Sequence, residues 1–356
     1  MTKKILFVVG PALGHVARSL VVAEALASQL PLNIAFAVVR QGHGIKIISG
    51  SFSFYELPDM DRDCIKYADA LETLLDQLSP DLVCLDLTPY PWLLQVRFPN
   101  ILQVYLTNFF LTQNFRYTTH QELVFEKTAL RVNVTRTSRG LAPIRNIKQM
   151  YDRDAVILCD PSSFMDSHIK LPPNYHVTGP CIWEPDVPLP AELAELNEVL
   201  FISFGSTGVK PLPHPFVEEI AKALSIQDVV WLGNKGVHEK NHTGLTKHHF
   251  YSWLPTSRVL PRSKFVITQG GAGSTYQALA NGKPVGIWSS HQNQKMLGTI
   301  AQDFGCGVLL DSVTGMSQLV ANDHLSMLSK SKELAQCLSK INGPMNAANV
   351  IARMLK

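Results

Sequence analysis

FVITQGGAGSTYQALANGKPVGIW (residues 265–288) decides the fold. An apolar, β-branched run over 264–268 reads as a buried strand, and it feeds a turn, Gln269-Gly270-Gly271-Ala272-Gly273-Ser274. Small helix-forming residues then cover 274–281, and a second apolar run follows Pro284 over 284–288. Strand, glycine turn, helix and strand in that order define a parallel βαβ unit. Glycines let the backbone come close to a ligand and adopt positive φ. The first N–H groups of the helix, with the hydroxyls of Ser274 and Thr275, form an anion site suited to phosphate or pyrophosphate. Glycine turns also serve tight strand–helix packing, so both readings stand at this point. A Walker A loop is excluded, because no Gly-Lys-Ser/Thr triple is present.

The same alternation extends outward from this stretch. Strands are expected over 199–204 and 228–232, and helices over 214–224 and 292–303. FISFGSTG (201–208) ends a strand on Gly205, Ser206 and Thr207, a second turn of phosphate-binding composition. WSSHQNQ (288–294) closes a further strand with amides, Asn293 and Gln294 among them. Those amides suit sugar hydroxyls, or they cap the helix that begins near Gln292. The first half repeats the pattern, with strands expected over 4–9, 33–39, 81–87, 101–107 and 155–159 and helices over 16–29 and 66–78. The polar stretch 111–150 is weakly periodic and resists assignment. Its Phe109, Phe110, Phe115 and Tyr117 line an acceptor pocket or belong to the core.

Between the halves, GPCIWEPDVPLPAEL (179–193) has four prolines in fifteen residues, a density that resists both helix and sheet. The expected organisation is therefore an N-terminal domain over 1–180, a proline-rich linker over 181–195, a C-terminal domain over 196–340 and a terminal helix over 341–356 that packs back on the first domain. The fold class is α/β: two doubly wound, Rossmann-like domains facing each other across a cleft, with ligands gathered at the carboxyl ends of the strands.

In the first half, VGPALGHVARSL leaves a strand at Gly10 and puts Gly14-His15 just before a helix. The helix dipole favours an uncharged imidazole there, which suits a general base. Asp86, in VCLDLTPY, ends another strand of the same sheet and is placed to stabilise an imidazolium. A buried structural acid is the alternative. A His–Asp pair with no serine or cysteine nucleophile elbow favours activating an external hydroxyl.

Bulk properties exclude several classes. The chain has 356 residues and a formal charge of +3, without the basic stripe of a nucleic-acid binder. Six scattered cysteines form no C-x-x-C pair, which fits free thiols in a reducing, cytoplasmic setting. The N-terminal apolar run is too short for a signal peptide, and no stretch reaches the length of a transmembrane helix. PDMDRDC (58–64) places Asp59, Asp61 and Asp63 at chelating spacing, although an acidic surface turn is the favoured reading. His248-His249 has no partner at ligand spacing in the sequence.

GPALGH at the first helix, Gly205-Ser206, and WLPTSRVLPRSKFVITQGGAGSTYQALANGKPVGIWSSHQNQ (253–294) together resemble the UDP-glycosyltransferase superfamily of GT-B fold, in its bacterial antibiotic and macrolide branch. The resemblance implies transfer of a sugar from a nucleotide-diphosphate donor to an acceptor hydroxyl, with inversion and with neither an essential metal nor another cofactor. It places His15 on the catalytic base and Asp86 on its partner. Trp253 and the Leu254 backbone fall on the nucleobase segment, Gly271, Gly273 and Ser274 on the pyrophosphate loop, and Asn293-Gln294 on the pair that grips the donor sugar. Gly14, Gly205, Ser206, Thr207 and Thr275 complete the expected donor contacts. The chain departs from the family at three of these positions. Gln269 stands for a phosphate-contacting histidine, Gln277 for a ribose-binding glutamate and Asn293 for a sugar-binding aspartate, so charge-assisted hydrogen bonds are lost. The implied acceptor is a small molecule, natural product or lipid, and the protein a monomer or homodimer. A nucleotide-sugar epimerase and a non-catalytic nucleotide-sugar-binding protein are the alternatives.

Overall fold

Strands whose two faces are both covered have to be apolar almost throughout, and two sets of such strands organise this chain. The computed structural model describes residues 2–39, 44–48, 50–59, 63–87, 93–112, 115, 117–165, 168–205, 211–233, 246–310 and 316–356. The chain divides into two compact units: Met1–Cys181 with Asn342–Lys356, and Ile182–Ile341.

The first unit runs β1 (Lys4–Val9), α1 (Leu13–Ala27), β2 (Asn33–Val39), α2 (Ile45–Ile48), β3 (Ser53–Leu57), α3 (Cys64–Leu78), β4 (Leu82–Asp86), β5 (Leu102–Thr107), α4 (Thr119–Ser138), β6 (Ala155–Leu158) and β7 (Tyr175–Val177). Its sheet has the order β3-β2-β1-β4-β5-β6-β7, and every neighbouring pair is parallel. From β1 the chain winds outward to β3, then returns to lay β4 against the other side of β1. The loops leaving β1 and β4 therefore diverge, and this reversal of strand order is where doubly wound sheets open a crevice at their carboxyl ends.

The second unit runs α5 (Ala191–Ala194), β8 (Val199–Ser203), α6 (His214–Ala223), β9 (Asp228–Leu232), β10 (Lys247–Tyr251), α7 (Thr256–Val259), β11 (Ser263–Thr268), α8 (Ala272–Ala280), β12 (Val285–Ile287), α9 (Gln292–Asp303), β13 (Gly307–Leu309) and α10 (Met316–Leu338). Its parallel sheet, β10-β9-β8-β11-β12-β13, reverses between β8 and β11. The glycine turn that opened the sequence analysis leaves β11 at that reversal.

Local chemistry fixes the helix ends. Asp63 caps α3, accepting from the backbone N–H groups of Ile65 (3.1 Å) and Lys66 (2.9 Å). One carboxylate of the acidic turn is therefore a helix cap. Asp61 lies outside the described residues. Ser79 ends the helix at φ 45°, and Pro80 blocks its continuation. Thr118 and Gln121 close a capping box on α4, which resolves the ambiguous stretch 111–150. Phe109 and Phe110, just before it, are buried. Phe109, Phe115, Tyr117 and Phe125 form an edge-to-face row with centroids 4.9–5.8 Å apart, and the Lys148 ammonium lies 4.6 Å from the Tyr117 ring centroid. These aromatics hold the unit together.

His248 and His249 belong to the edge strand β10. The Trp231 indole donates to His248 Nδ1 at 2.9 Å, while His248 Nε2 lies 3.0 Å from Glu218. His249 Nε2 lies 2.8 Å from Asp228. Each histidine thus stitches an edge of the sheet. Cys84, Cys159, Cys181 and Cys306 are buried, Cys64 is half-buried, Cys337 is exposed, and all six are free thiols.

The last helix, α11 (Gly343–Met354), belongs to the first unit, where Ala347, Ala348, Ile351 and Ala352 join the core that includes Val16, Val22, Ala23 and Leu26 of α1. Its start is fixed by a close approach: a Cβ on Gly343 would lie 2.2 Å from the Pro180 carbonyl oxygen and 2.7 Å from that of Gly179. Asn346 Nδ2 donates to the Thr178 carbonyl beside it (3.0 Å). Gly343→Ala is accordingly expected to destabilise the first unit by roughly 1–3 kcal/mol, as overpacking against rigid backbone does. Urea denaturation checks this, and an unchanged midpoint would show that α11 is not seated on Gly179–Pro180.

Candidate active site

Asp86 is the last residue of β4 and has no solvent exposure. Charged groups in that position must be paired and hydrogen-bonded, and Asp86 has donors on both oxygens. Oδ1 lies 2.7 Å from His15 Nδ1 and also accepts from Arg18 Nη2. Oδ2 accepts from Arg18 Nε (2.8 Å) and Ser19 Oγ (3.0 Å). Three residues of α1 thus converge on a single carboxylate. They can do so because β1 and β4 are neighbours, with Val9 in register with Asp86, and because residues 15, 18 and 19 share one helical face. Burial works against ionisation of Asp86, but the Arg18 charge and hydrogen bonds outweigh it, with help from His15, and hold the carboxyl below its usual range. Arg18 is affected likewise. Burial disfavours its charge, the neighbouring Asp86 prevails, and the guanidinium stays ionised.

An ionised Asp86 can only accept, so the hydrogen of its bond to His15 resides on Nδ1 and Nε2 carries the lone pair. His15 sits in the first turn of α1, whose N-cap, Ala12, has no capping side chain, and its side chain is 16% exposed. Gly14 beside it is exposed, with no atom within 4 Å of where a Cβ would project. Asp86 is a buried ion of the first unit, and the same carboxylate lies against the imidazole.

The ion pair continues into a chain. Arg18 Nη1 donates to Asn108 Oδ1 (2.7 Å), and Asn108 Nδ2 donates to Asp160 Oδ1 (2.8 Å). Asp160 Oδ2 accepts from the Phe109 N–H (2.6 Å). Arg18, Ser19, Asn108 and Asp160 did not emerge from the sequence motifs. A signal for two of them was present: three buried strands end on a polar residue in the same way, LVCLD at 86, VYLTN at 108 and AVILCD at 160.

In the second unit, Gly270 has φ +85°, and a Cβ there would lie 2.8 Å from both the Gln294 carbonyl oxygen and Ile287 Cγ2, so only glycine fits. The next two glycines of the turn differ. Gly271, the N-cap of α8, and Gly273, in its first turn, have nothing within 4 Å of a projected Cβ. The first helical N–H to find an acceptor within α8 is that of Thr275, bonded to the Gly271 carbonyl (3.0 Å). The N–H groups of Ala272, Gly273 and Ser274 therefore lie at an open, uncapped helix start, an arrangement suited to an anion.

Thr275 corrects the expectation that its hydroxyl joins them. It is fully buried, and Oγ1 lies 3.3 Å from Thr268 Oγ1, which in turn accepts from the Gly270 N–H at 2.9 Å. It braces the turn from inside. Gly205 adopts φ +47° at the end of β8, with open space around it; Ser206 and Thr207 lie outside the described residues. Trp253 is 47% exposed and meets Trp183 edge to face at 6.3 Å, while the Leu254 side chain is buried. Gln269 is buried, and Gln277 and Asn293 are half-buried. Gln294 takes the capping reading: its Oε1 accepts from the N–H groups of Ser290 (2.7 Å) and His291 (3.1 Å).

A histidine–carboxylate pair thus lies at one sheet reversal and an open helix start at the other. Residues 143–344 match the UDP-glucoronosyl and UDP-glucosyl transferase family, and the chain belongs to that family. It is a glycosyltransferase. Its sequence is 26% identical over 310 residues to a PGL/p-HBAD biosynthesis glycosyltransferase of Mycobacterium tuberculosis, covering 78% of this chain and 71% of the relative. It is 31% identical over 184 residues to UDP-glucuronosyltransferase 2A2 of Homo sapiens, covering 48% and 33%. In fold it is similar to the glycotransferase of kitacinnamycin, with a TM-score of 0.78 over the whole of both chains at 16% identity. The calicheamicin glycosyltransferase CalG4 is similar too, with a TM-score of 0.71 over 100% of this chain and 98% of the other at 19% identity. The architecture is thus that of GT-B enzymes.

Replacing Asp86 by asparagine leaves Arg18 buried without its counter-ion, and the expected loss at neutral pH is roughly 3–5 kcal/mol. The dependence on pH has a definite sign. A carboxyl whose folded value is depressed stabilises the fold above its unfolded value and loses that contribution as pH falls through the folded one. The gap between wild type and Asp86→Asn should hold steady from pH 7 to about 4.5 and shrink below about pH 4. Urea titrations across that range measure it, and a gap that widened on acidification would contradict the assigned charge state.

Proposed function

We propose that this glycosyltransferase moves a sugar from a nucleotide-diphosphate donor to a hydroxyl of a small-molecule, natural-product or lipid acceptor, with inversion and without an essential metal or other cofactor. The observation that carries the reading is the 2.7 Å contact between His15 Nδ1 and Asp86, which leaves Nε2 as the basic nitrogen of the ring. Nε2 takes the acceptor hydroxyl proton while the acceptor oxygen forms a bond to the anomeric carbon. The bond from that carbon to the diphosphate breaks, its electron pair leaves on phosphate oxygen, and the single displacement inverts the anomeric centre. Asp86 stabilises the imidazolium so formed.

In this reading the second unit holds the donor. The N–H groups of Ala272, Gly273 and Ser274 meet the diphosphate and offset charge on the leaving group, a task that preorganised dipoles perform without a metal. Trp253 provides an exposed aromatic face for the nucleobase, with Leu254 contributing backbone. Gly205 is a further donor contact, and Gln269, Gln277 and Asn293 supply neutral hydrogen bonds to phosphate, ribose and sugar. Gln294 contributes its amide N–H, its oxygen being held by the loop. The acceptor class is supported by the chain's likeness to a PGL/p-HBAD biosynthesis glycosyltransferase and to the glycosyltransferases of kitacinnamycin and calicheamicin. The buried free thiols support a cytoplasmic setting. No helix of the described residues is long and apolar enough to cross a membrane.

Two substitutions test the halves separately. His15→Gln is expected to lower turnover by roughly 10²–10⁴-fold while nucleotide affinity is retained; turnover near the wild-type rate would remove His15 as the base. Gly273→Ala fills the open face of the turn at a helical position where alanine favours the helix by up to about 1 kcal/mol. It should leave the apo protein as stable or more so, yet abolish the thermal stabilisation given by UDP or dTDP. Equal stabilisation of Gly273→Ala and wild type would place the diphosphate elsewhere.

A further inference from the structure

We propose that Arg18 is a positioning residue for sugar transfer: by binding both oxygens of Asp86 it fixes the direction in which that carboxylate faces His15 and limits how much of its charge the imidazole feels. The inference rests on the reading of His15 as base and adds a control that acts on it.

The observations are geometric. Arg18 Nη2 and His15 Nδ1 share one acceptor, Asp86 Oδ1, so the guanidinium and the ring are separated by a single oxygen. Arg18 Nε holds the other oxygen at 2.8 Å, which prevents the carboxylate from turning about its own axis. Arg18 is itself held in place. Nη1 is bound by Asn108, whose amide is oriented by Asp160, and Nη2 also lies 3.4 Å from the Leu106 carbonyl. The chain from His15 through Asp86, Arg18 and Asn108 to Asp160 thus links the carboxyl ends of three adjacent strands, β4, β5 and β6.

Acidic and basic groups alternate along it, in the order Asp86, Arg18 and Asp160. Other titratable groups among the described residues face the cluster. Burial pushes the Cys84 and Tyr105 groups up, and contact with Cys159 together with burial does the same for Cys181. Cys159 is a buried thiol beside Arg18. Arg18 competes with the ring for Asp86 Oδ1, so the carboxylate is held facing His15 while part of its charge is taken up by the guanidinium.

Removing the guanidinium should make the His15–Asp86 pair take up its proton at higher pH, and removing the Asp160 charge should have the opposite effect. An opposite charge within about 4–6 Å typically moves a titration by roughly one to three pH units. The experiment is a histidine NMR titration of the whole unliganded protein, with the His15 resonance assigned from His15→Gln. In Arg18→Gln the His15 midpoint is expected to rise by about one pH unit or more, and the acid limb of kcat/KM to move with it. In Asp160→Asn it is expected to fall. Circular dichroism confirms that each variant is folded, and if Arg18→Gln is not, the direction of the Asp160→Asn shift decides. A His15 midpoint unchanged in folded Arg18→Gln, or unchanged or raised in Asp160→Asn, overturns the proposal. The titration needs no substrate, so its outcome is separate from that of the catalytic reading. Loss of the base shows in the turnover of His15→Gln, and loss of the Arg18 control shows in the midpoint alone.

Discussion

A carboxylate with no solvent contact constrains everything around it, and Asp86 is that carboxylate. Its charge is tolerable only if donors reach both oxygens, and α1 meets the requirement with His15, Arg18 and Ser19. This fixes the rotation of α1 about its axis and the height at which the helix starts. His15 is therefore placed by the same interactions that satisfy a buried ion. Replacing the network by apolar side chains of equal volume could match its stability, but would leave no group to orient an imidazole. In the proposed mechanism, function is the reason for a polar cluster amid the buried strands β1, β4 and β5.

The second unit solves a different problem with backbone alone. Here the turn has to present N–H groups, and its side chains are arranged to leave them uncovered. Gly270 bends where a Cβ would strike the Gln294 carbonyl, Thr268 and Thr275 brace the turn from beneath, and Gly271 and Gly273 keep its outer face open. Gln294 ties the neighbouring loop to α9. The start of α8 has no side-chain cap of its own, and its N–H groups are the strongest anion-binding feature of the turn. In the proposed reading the diphosphate is held by peptide dipoles, and the side chains contribute orientation more than binding strength.

Most of the fold was legible because parallel, two-sided strands leave an unambiguous apolar signature. The cores of β1, β2, β4, β5, β8, β9 and β11 all appear as such runs, and β4, β5, β8 and β11 end on polar residues, Asp86, Thr107, Ser203 and Thr268. The strands that escaped, β3, β7, β10 and β13, lie toward the margins of the sheets and are short or half-exposed, so their composition is set by solvent as much as by core. α4 escaped for a related reason. Leu123, Val124, Leu130 and Val134 are exposed while Ala129 and Val132 are buried, which blurs its periodicity. In the first unit, the pairing of His15 with Asp86 was legible from loop position. Arg18 was not, since an arginine three residues into a helix from a histidine reads as a solvated charge until the strand order shows what lies beneath it.

The proline-rich segment gains a more specific meaning from its contacts. Prolines alone would indicate a stiff connector, yet from Ile182 onward the segment is bound to the second unit. Glu184 accepts from Thr256 Oγ1 (3.1 Å) and from the Ser257 N–H at the start of α7. Trp183 meets Trp253, Glu192 accepts from the Tyr251 hydroxyl (2.8 Å), and Leu193 is buried. The chain enters the second unit at Ile182 and leaves it at Ile341. On the side of the first unit, the flanking segments are pressed together where Gly343 lies against Gly179 and Pro180. Pro185, Pro188 and Pro190 fix φ along the proline-rich segment and remove three backbone donors, so the side chains of Trp183, Glu184, Glu192 and Leu193 supply the contacts that dock it on its own unit.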